Sequence, residues 1–315
     1  MAKPRELRRR IKSIQSTRKI TKTMELVATS KLKRAQERVV AARPYANALA
    51  GVIADLYAPE LAERFPLLRQ PHAPGLAPGV SSRVALILIT ANRGLCGAFN
   101  ANLIREARRR IDQLEAEGAV VDLHLIGKKG ITYFKFAKRS VASQRTDIGD
   151  KPRPEHAAEI MGPLMAQFES GAVDGVEVVF AQFKSAVSTP PTTLRILPIT
   201  PPRSDGRIVG LSDGAGRGQS DHPTVRPPVA FYILKPSADA ILEQLLPLYV
   251  RNQVFRALVE TAAAFLGAQR TAMKNATDNA GEILDVLRRT YNRARQAQIT
   301  QELAEIVGGA EALKG

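Results

Sequence analysis

Small and apolar residues recur at steps of three and four at both ends of this chain, and short continuous apolar runs lie between them. From Leu266 the positions Leu266, Gln269, Met273, Ala276, Ala280, Ile283, Leu287, Tyr291, Ala294 and Gln298 trace one stripe along a helix. Between Pro236 and the Gly308-Gly309 pair the only proline is Pro247, which predicts a kink or a boundary between two helices there. Unbroken, a helix from Ser237 to Val307 would run roughly 105 Å at about 1.5 Å per residue, far longer than a small domain is wide. It needs a long partner. A second stripe supplies one, through Leu7, Ile11, Ile14, Arg18, Thr21, Met24, Val27, Lys31 or Leu32, Ala35, Val39 and Ala42. Two such helices at opposite ends of one chain pack most simply as an intramolecular antiparallel coiled coil. Ala, Thr, Arg and Gln stand where Leu and Ile grip hardest, so the seam is close-packed but modest per turn. Neither end carries the eighteen-residue apolar run of a membrane span.

The pattern changes between the two helices. After Pro59 the stretch RQPHAPGLAPGVSSR (69–83) has the chemistry of a linker. VALILIT (84–90) is a continuous apolar run, the mark of a strand covered on both faces. A turn, a helical run near Asn102 to Glu117, a strand VVDLHLIG ending at Gly127 and a short helix from Gly130 follow. Then come a helix near Glu155 to Glu169 and the strands VEVVFAQF (176–183) and TTLRILPI (192–199), which could pair antiparallel. Strands alternating with helices predict a mostly parallel, Rossmann-like α/β domain. The expected organisation is a coiled-coil helix over 1–58, a linker over 59–82, the α/β domain over 83–200, a Pro/Gly-rich loop and return segment over 201–235, and a second coiled-coil helix over 236–315.

Composition narrows the function. The chain has 315 residues, no Trp and 5% aromatics, which suits a modest core with much helical surface. One cysteine, Cys96, cannot form a disulfide framework and reads as a small buried hydrophobe. The four histidines, His72, His124, His156 and His222, have no metal-ligand spacing, and no catalytic constellation emerges. In the turn NRGLCGAFN, Gly94 and Gly97 match neither the dinucleotide fingerprint nor a phosphate loop, so it reads as a tight turn. The opening MAKPRELRRRIKSIQ carries charge but no apolar core segment, so a secretory signal is not expected. The net charge of +16 is uneven: residues 1–58 hold 14 Lys/Arg against 4 Asp/Glu, whereas residues 236–315 hold 9 of each. A basic coiled coil suggests a nucleic acid or an anionic membrane surface, set against a merely solvated helix face. Aromatic interleaving and RNA-binding signatures are missing, which weakens the first, though a basic nucleic-acid-binding coiled coil stays open as the alternative.

Three long motifs identify a relative. RRRIKSIQSTRKITKTMELVATSKLKRAQERVVAARPYANAL, ITANRGLCGAFNANLI and AMKNATDNAGEILDVLRRTYNRARQAQITQELAEIVGGA resemble, in that order, the gamma subunit of F-type ATP synthases. The resemblance implies a non-catalytic rotor shaft without cofactors, present once per complex. Its terminal helices would stand inside a ring of alternating alpha and beta subunits, and its α/β domain would dock with the epsilon subunit and the membrane ring of c subunits. It implies a bacterial cell membrane location, peripheral on the cytoplasmic side, and no nucleic acid. By the same resemblance Lys19, Lys22, Lys31, Lys33 and Arg34 would meet an acidic loop of the catalytic subunits. Met24 would lie near Arg270, while Arg295, Gln296, Thr300 and Glu302 would make the upper contacts with the hexamer. Tyr232 and Lys235 would lie on the rotor-ring side. The chain departs from the family at Leu266 and Lys235, where many relatives carry acids.

Overall fold

The computed structural model describes residues 4–56, 64–69, 82–199 and 238–312. Most of the expected linker, the 201–235 segment, His72, His222, Tyr232 and Lys235 lie outside them. In chain order the elements are α1 (Pro4–Leu56), a 3-10 turn (Pro66–Leu68), β1 (Arg83–Ile89), α2 (Phe99–Ala116), β2 (Val120–Ile126), α3 (Lys128–Phe136), β3 (Ser143–Arg145), α4 (Pro154–Glu169), β4 (Gly175–Ala181), β5 (Pro191–Leu197) and α5 (Ala238–Ala312). Two compact units emerge: Leu32–Gly94 with Ala98–Phe265, and Met1–Lys31 with Leu95–Gly97 and Leu266–Gly315.

The larger unit is built on a five-stranded sheet of order β3-β2-β1-β4-β5. β1 pairs in parallel with β2 and β4, β2 pairs in parallel with β3, and β4 pairs antiparallel with β5. Central β1 and β4 are buried almost throughout, which is why they read as unbroken apolar runs. Alternate residues of β1, Ala85, Ile87 and Ile89, join a core with Leu49 and Ile53 of α1 and Leu246, Val250, Val254 and Leu258 of α5. α2 buries Phe99, Leu103, Ala107, Ile111 and Leu114, at steps of four and three, and turns Arg105, Arg108 and Arg109 outward, while Arg110 stays half-buried against the sheet. It ends in a Schellman motif: Gly118 adopts φ +82°, and the amides of Gly118 and Ala119 donate to the carbonyls of Glu115 and Leu114.

Polar groups tie these layers together. Glu177, buried in β4, accepts two hydrogen bonds from Arg110 of α2, at 2.6 and 2.7 Å. Glu260 of α5 accepts from Arg256 Nε at 2.8 Å and from the Phe183 amide at 3.1 Å, and Thr261 Oγ1 accepts the Ala181 amide at 3.3 Å. The end of β4 is thereby fastened to α5.

Several expectations need correction. Pro247 marks no boundary, because it sits inside the single helix α5. Its missing N–H falls in a helix whose neighbouring positions Leu242, Leu246, Tyr249 and Val250 are buried in the core, and tertiary packing outweighs the local cost. α2 starts at Phe99 rather than near Asn102. β3, with the polar sequence Ser143-Gln144-Arg145, has no apolar pattern and is a strand because β2 offers it an edge.

Candidate functional site

In the smaller unit, residues 4–31 of α1 and 266–312 of α5 form a two-helix seam. Thr21 Oγ1 and Thr277 Oγ1 lie 2.8 Å apart, and the Arg18 guanidinium lies flat about 3.7 Å from where a Cβ on Gly281 would stand. Stepping three forward on α1 steps four back on α5, so the helices are antiparallel. The threonine pair has two hydroxyl protons for three contacts: each other, the Met273 carbonyl at 2.8 Å and the Arg18 carbonyl at 3.1 Å. At most two of the three can be hydrogen bonds at once, and in every arrangement each hydroxyl has an oxygen to donate to, so the buried Thr277 is left without an orphaned donor.

The buried faces follow a seven-residue repeat. On α1 the covered positions Leu7, Ile11, Ile14, Thr21 and Ala28 continue into Leu32, Ala35, Val39, Ala46, Leu49 and Ile53 of the larger unit. On α5 they are Met273, Thr277, Ala280, Leu284, Leu287, Tyr291 and Ala294. A strict heptad of this kind corresponds to a left-handed supercoil. The expected stripes are corrected at particular positions. Val27 is 50% exposed and Ala28 only 1%, and Ile283 is 48% exposed against 2% for Leu284. Thr277 is buried in place of Ala276, Leu32 rather than Lys31 is covered, and Arg18 and Gln298 are exposed. Two adjacent apolar residues cannot be ranked by spacing alone; the facing helix decides.

Beyond Ala294 the seam stops. By the Thr21–Thr277 register, Pro4 at the start of α1 stands opposite about residue 294, so the rest of α5 has no partner helix among the described residues. Every side chain from 295 to 309 is exposed, including Ile299, Leu303, Ile306 and Val307. Arg295, Gln296, Thr300 and Glu302 sit on this overhang; Gln298 Nε2 donates to Glu302 at 2.8 Å and the Thr300 hydroxyl to the Gln296 carbonyl at 3.0 Å. On α1, Lys19, Lys22 and Lys31 are exposed, and Lys22 pairs with Glu25 at 3.1 Å. Lys33 and Arg34 are exposed further along the same helix, in the larger unit. Met24 and Arg270 are each half-buried in the smaller unit, and the threonine register sets Met24 about one helical turn from Arg270. Leu266 is buried in the same unit. The sequence reading missed the Thr21–Thr277 pair and the Arg18–Gly281 contact; the seven-residue repeat of α1 is the signal that leads to both.

The larger unit fills the place where a doubly wound sheet often holds a nucleotide, beyond the C-terminal ends of its strands. There Thr90 and Asn92 face Leu258, Thr261 and Phe265 of α5 across a cavity of only about 40 Å3. Arg93 stacks over the Phe265 ring at 5.9 Å and pairs with Asp150. Asn92 donates to the Thr146 and Ile148 carbonyls, both at 2.9 Å, and accepts the Lys128 amide, while Asn100 accepts the Ala91 amide at 3.0 Å. Leu95 and Gly97 take positive φ of 60° and 58°, as in a tight turn, and Cys96 between them is buried. Gly127, at φ +97°, passes so close to Thr90 that a Cβ would lie 2.1 Å from its carbonyl oxygen. His124 Nδ1 lies 2.7 Å from Ser143 Oγ, and burial pushes its imidazole below the ordinary range while Asp122 pulls the other way. Among the described residues no cluster of His, Cys, Asp and Glu is placed to hold a metal, and no helix is long and apolar enough to cross a membrane.

A parallel-rich α/β unit together with an antiparallel pair of terminal helices, whose tip has no partner among the described residues, defines a stalk-type subunit. Comparison with known proteins identifies which one: the profile described as ATP synthase matches residues 3–313, and the chain belongs to the ATP synthase gamma chain family. It is 58% identical to the ATP synthase gamma chain of Gemmatimonas aurantiaca over 315 residues, covering all of both chains. It is 39% identical to that of Leptospira biflexa over 313 residues, covering 99% of this chain and 100% of the relative. The fold is also that of a chain in the Euglena gracilis mitochondrial ATP synthase, OSCP/F1/c-ring, in rotational state 3. There the TM-score is 0.61 at 19% identity, with 98% and 94% of the two chains covered. A chain of the Tetrahymena thermophila central stalk and c-ring gives 0.54 at 21%, with 82% of this chain and 99% of that one covered.

Proposed function

We propose that this chain is the central shaft of a rotary ATP synthase, carrying torque between an ion-driven membrane ring and the catalytic subunits and performing no bond chemistry itself. Alpha and beta subunits surround the helix pair in this reading, and the epsilon subunit and the c ring meet the α/β unit, at the cytoplasmic face of a bacterial membrane. The observation that carries it is the overhang. A helix that runs some fifteen residues past its partner with every side chain exposed is stabilised by something that encloses it.

The physics sets the demand on the contacts. Shaft angle and nucleotide affinity are coupled by a free energy that acts equally in both directions, so ATP hydrolysis drives the shaft in reverse. Switching one site from 1:99 to 99:1 occupancy takes about 5.5 kcal/mol of differential interaction. An exposed ion pair contributes about 0–1 kcal/mol, so the work is spread over many contacts. The basic face of α1 supplies several: residues 4–31 hold nine Lys/Arg against two Asp/Glu. Lys19, Lys22, Lys31, Lys33 and Arg34 meet an acidic loop of the catalytic subunits, and Met24, Arg270, Arg295, Gln296, Thr300 and Glu302 make the remaining contacts with the hexamer. Tyr232 and Lys235 serve the ring side.

The test is ATP-driven proton pumping by the assembled complex with those five cations changed to Glu. Pumping per ATP hydrolysed falls several-fold at low salt, and less at high salt, where screening already weakens the wild-type contacts. Unchanged coupling at low salt would refute the assignment of this face. A chain that fails to copurify with nucleotide-binding subunits would refute the shaft itself.

A further inference from the structure

The larger unit carries a surface that neither the helix seam nor the filled crevice uses. α2 and α3 run beside each other and present facing stripes with the same spacing. On α2 the stripe is Ala101, Ile104, Arg105 and Arg108, and on α3 it is Lys129, Thr132, Tyr133 and Phe136, each at i, i+3, i+4 and i+7. Between them lies an open trough of about 920 Å3. Its floor is apolar, and Phe136 is 87% exposed, the largest fraction for a big apolar side chain among the described residues. Its rim is cationic. Arg105 donates to Asn102 Oδ1 at 3.3 Å, and Arg108 reaches across to donate to the Tyr133 hydroxyl at 3.1 Å, so both hydrogen bonds go to neutral oxygens. The lining carboxylate, Asp112, faces Arg139 at 4.0 Å.

We propose that this trough is a docking site for an acidic amphipathic helix of a partner protein. Its shape argues against a small molecule: the trough is large and open rather than an enclosed cleft that would bury most of a ligand's surface. The α2 lining from Ala101 to Asp112 extends about 17 Å at 1.5 Å per residue, the length of three helical turns. A helix laid there completes a third ridge on α2 and α3, covers Ile104 and Phe136 with its apolar face, and sets Asp or Glu against Arg105, Arg108 and Lys129. Neutralising a rim of three cations makes the attraction strongest at low ionic strength.

The experiment places the photo-crosslinking residue p-benzoylphenylalanine at Thr132, exposed on the α3 wall, in the full chain within the purified complex. The expected adduct maps by mass spectrometry to a partner segment of net negative charge whose apolar residues recur at steps of three and four. Adding Arg105→Glu with Arg108→Glu lowers its yield at least tenfold, while the melting temperature of the isolated chain moves by no more than a few degrees, because both side chains are exposed. The same probe at Val187, in the β4–β5 connection, gives a yield that the reversal leaves unchanged. An adduct to phospholipid, to a neutral or basic segment, or to a second copy of this chain overturns the proposal; so does no adduct, or a yield indifferent to the reversal. The outcome is separate from that of the shaft reading, which copurification with nucleotide-binding subunits decides.

Discussion

The register of the helix seam makes a sharp forecast at two adjacent apolar residues. Leu284 is 2% exposed and Ile283 is 48% exposed. Burying a leucine side chain contributes about 1.5–3 kcal/mol by area, and Leu→Ala in a closed core costs about 2–5 kcal/mol. A seam of two helices can collapse onto a small gap more easily than a core, so Leu284→Ala should cost about 2 kcal/mol. Ile283→Ala should change stability by no more than about 0.5 kcal/mol, since the surface loss is offset by the better helix propensity of Ala. A global melt is dominated by the sheet-containing unit, so the assay is native-state hydrogen exchange on amides of residues 4–31, which report opening of this helix pair alone. At about 1.4 kcal/mol per tenfold, Leu284→Ala accelerates their exchange about 30-fold, and Ile283→Ala by about twofold at most. Equal acceleration by the two, or a larger effect at Ile283, would refute the register and with it the seven-residue frame.

The remaining predictions concern the larger unit. Gly127→Ala, which forces a Cβ to within 2.1 Å of the Thr90 carbonyl at φ +97°, should cost more than about 3 kcal/mol and lower the yield of folded chain. Gly118→Ala, at φ +82° but with nothing within 4 Å, should cost only about 1–2 kcal/mol, and equal melting shifts for the two would show that close approach is not the cause. His124 yields a pH dependence. Its folded form takes up a proton less readily than the unfolded chain, so stability is full above about pH 6.5 and declines as pH falls through the lowered value. His124→Gln should flatten the melting temperature between pH 7 and pH 5, and an unchanged slope would exclude this group as the source.

Much of this protein is written in local periodicities, which a chain carries without knowledge of its partner. The three-and-four spacing at each end marked both helices, the unbroken apolar run of 84–90 marked a strand covered on both faces, and the alternation of strands with helices marked a parallel sheet. The antiparallel addition of β5 was legible as a possibility and became definite through its register with β4. Tertiary structure alone chose between adjacent positions, even against hydrophobicity: Ala28 over Val27, Leu284 over Ile283, Thr277 over Ala276. One residue on a helix is a turn of about 100°, and only the facing helix says which of two adjacent side chains points into the seam. It also made strands and cores from residues that carry no apolar signal. Ser143-Gln144-Arg145 pairs because β2 has an open edge, Thr277 is buried because Thr21 stands opposite, and Glu177 is buried because Arg110 reaches it with two hydrogen bonds. A polar group goes inside only where a partner satisfies it, and that partner lies dozens to hundreds of residues away in the sequence.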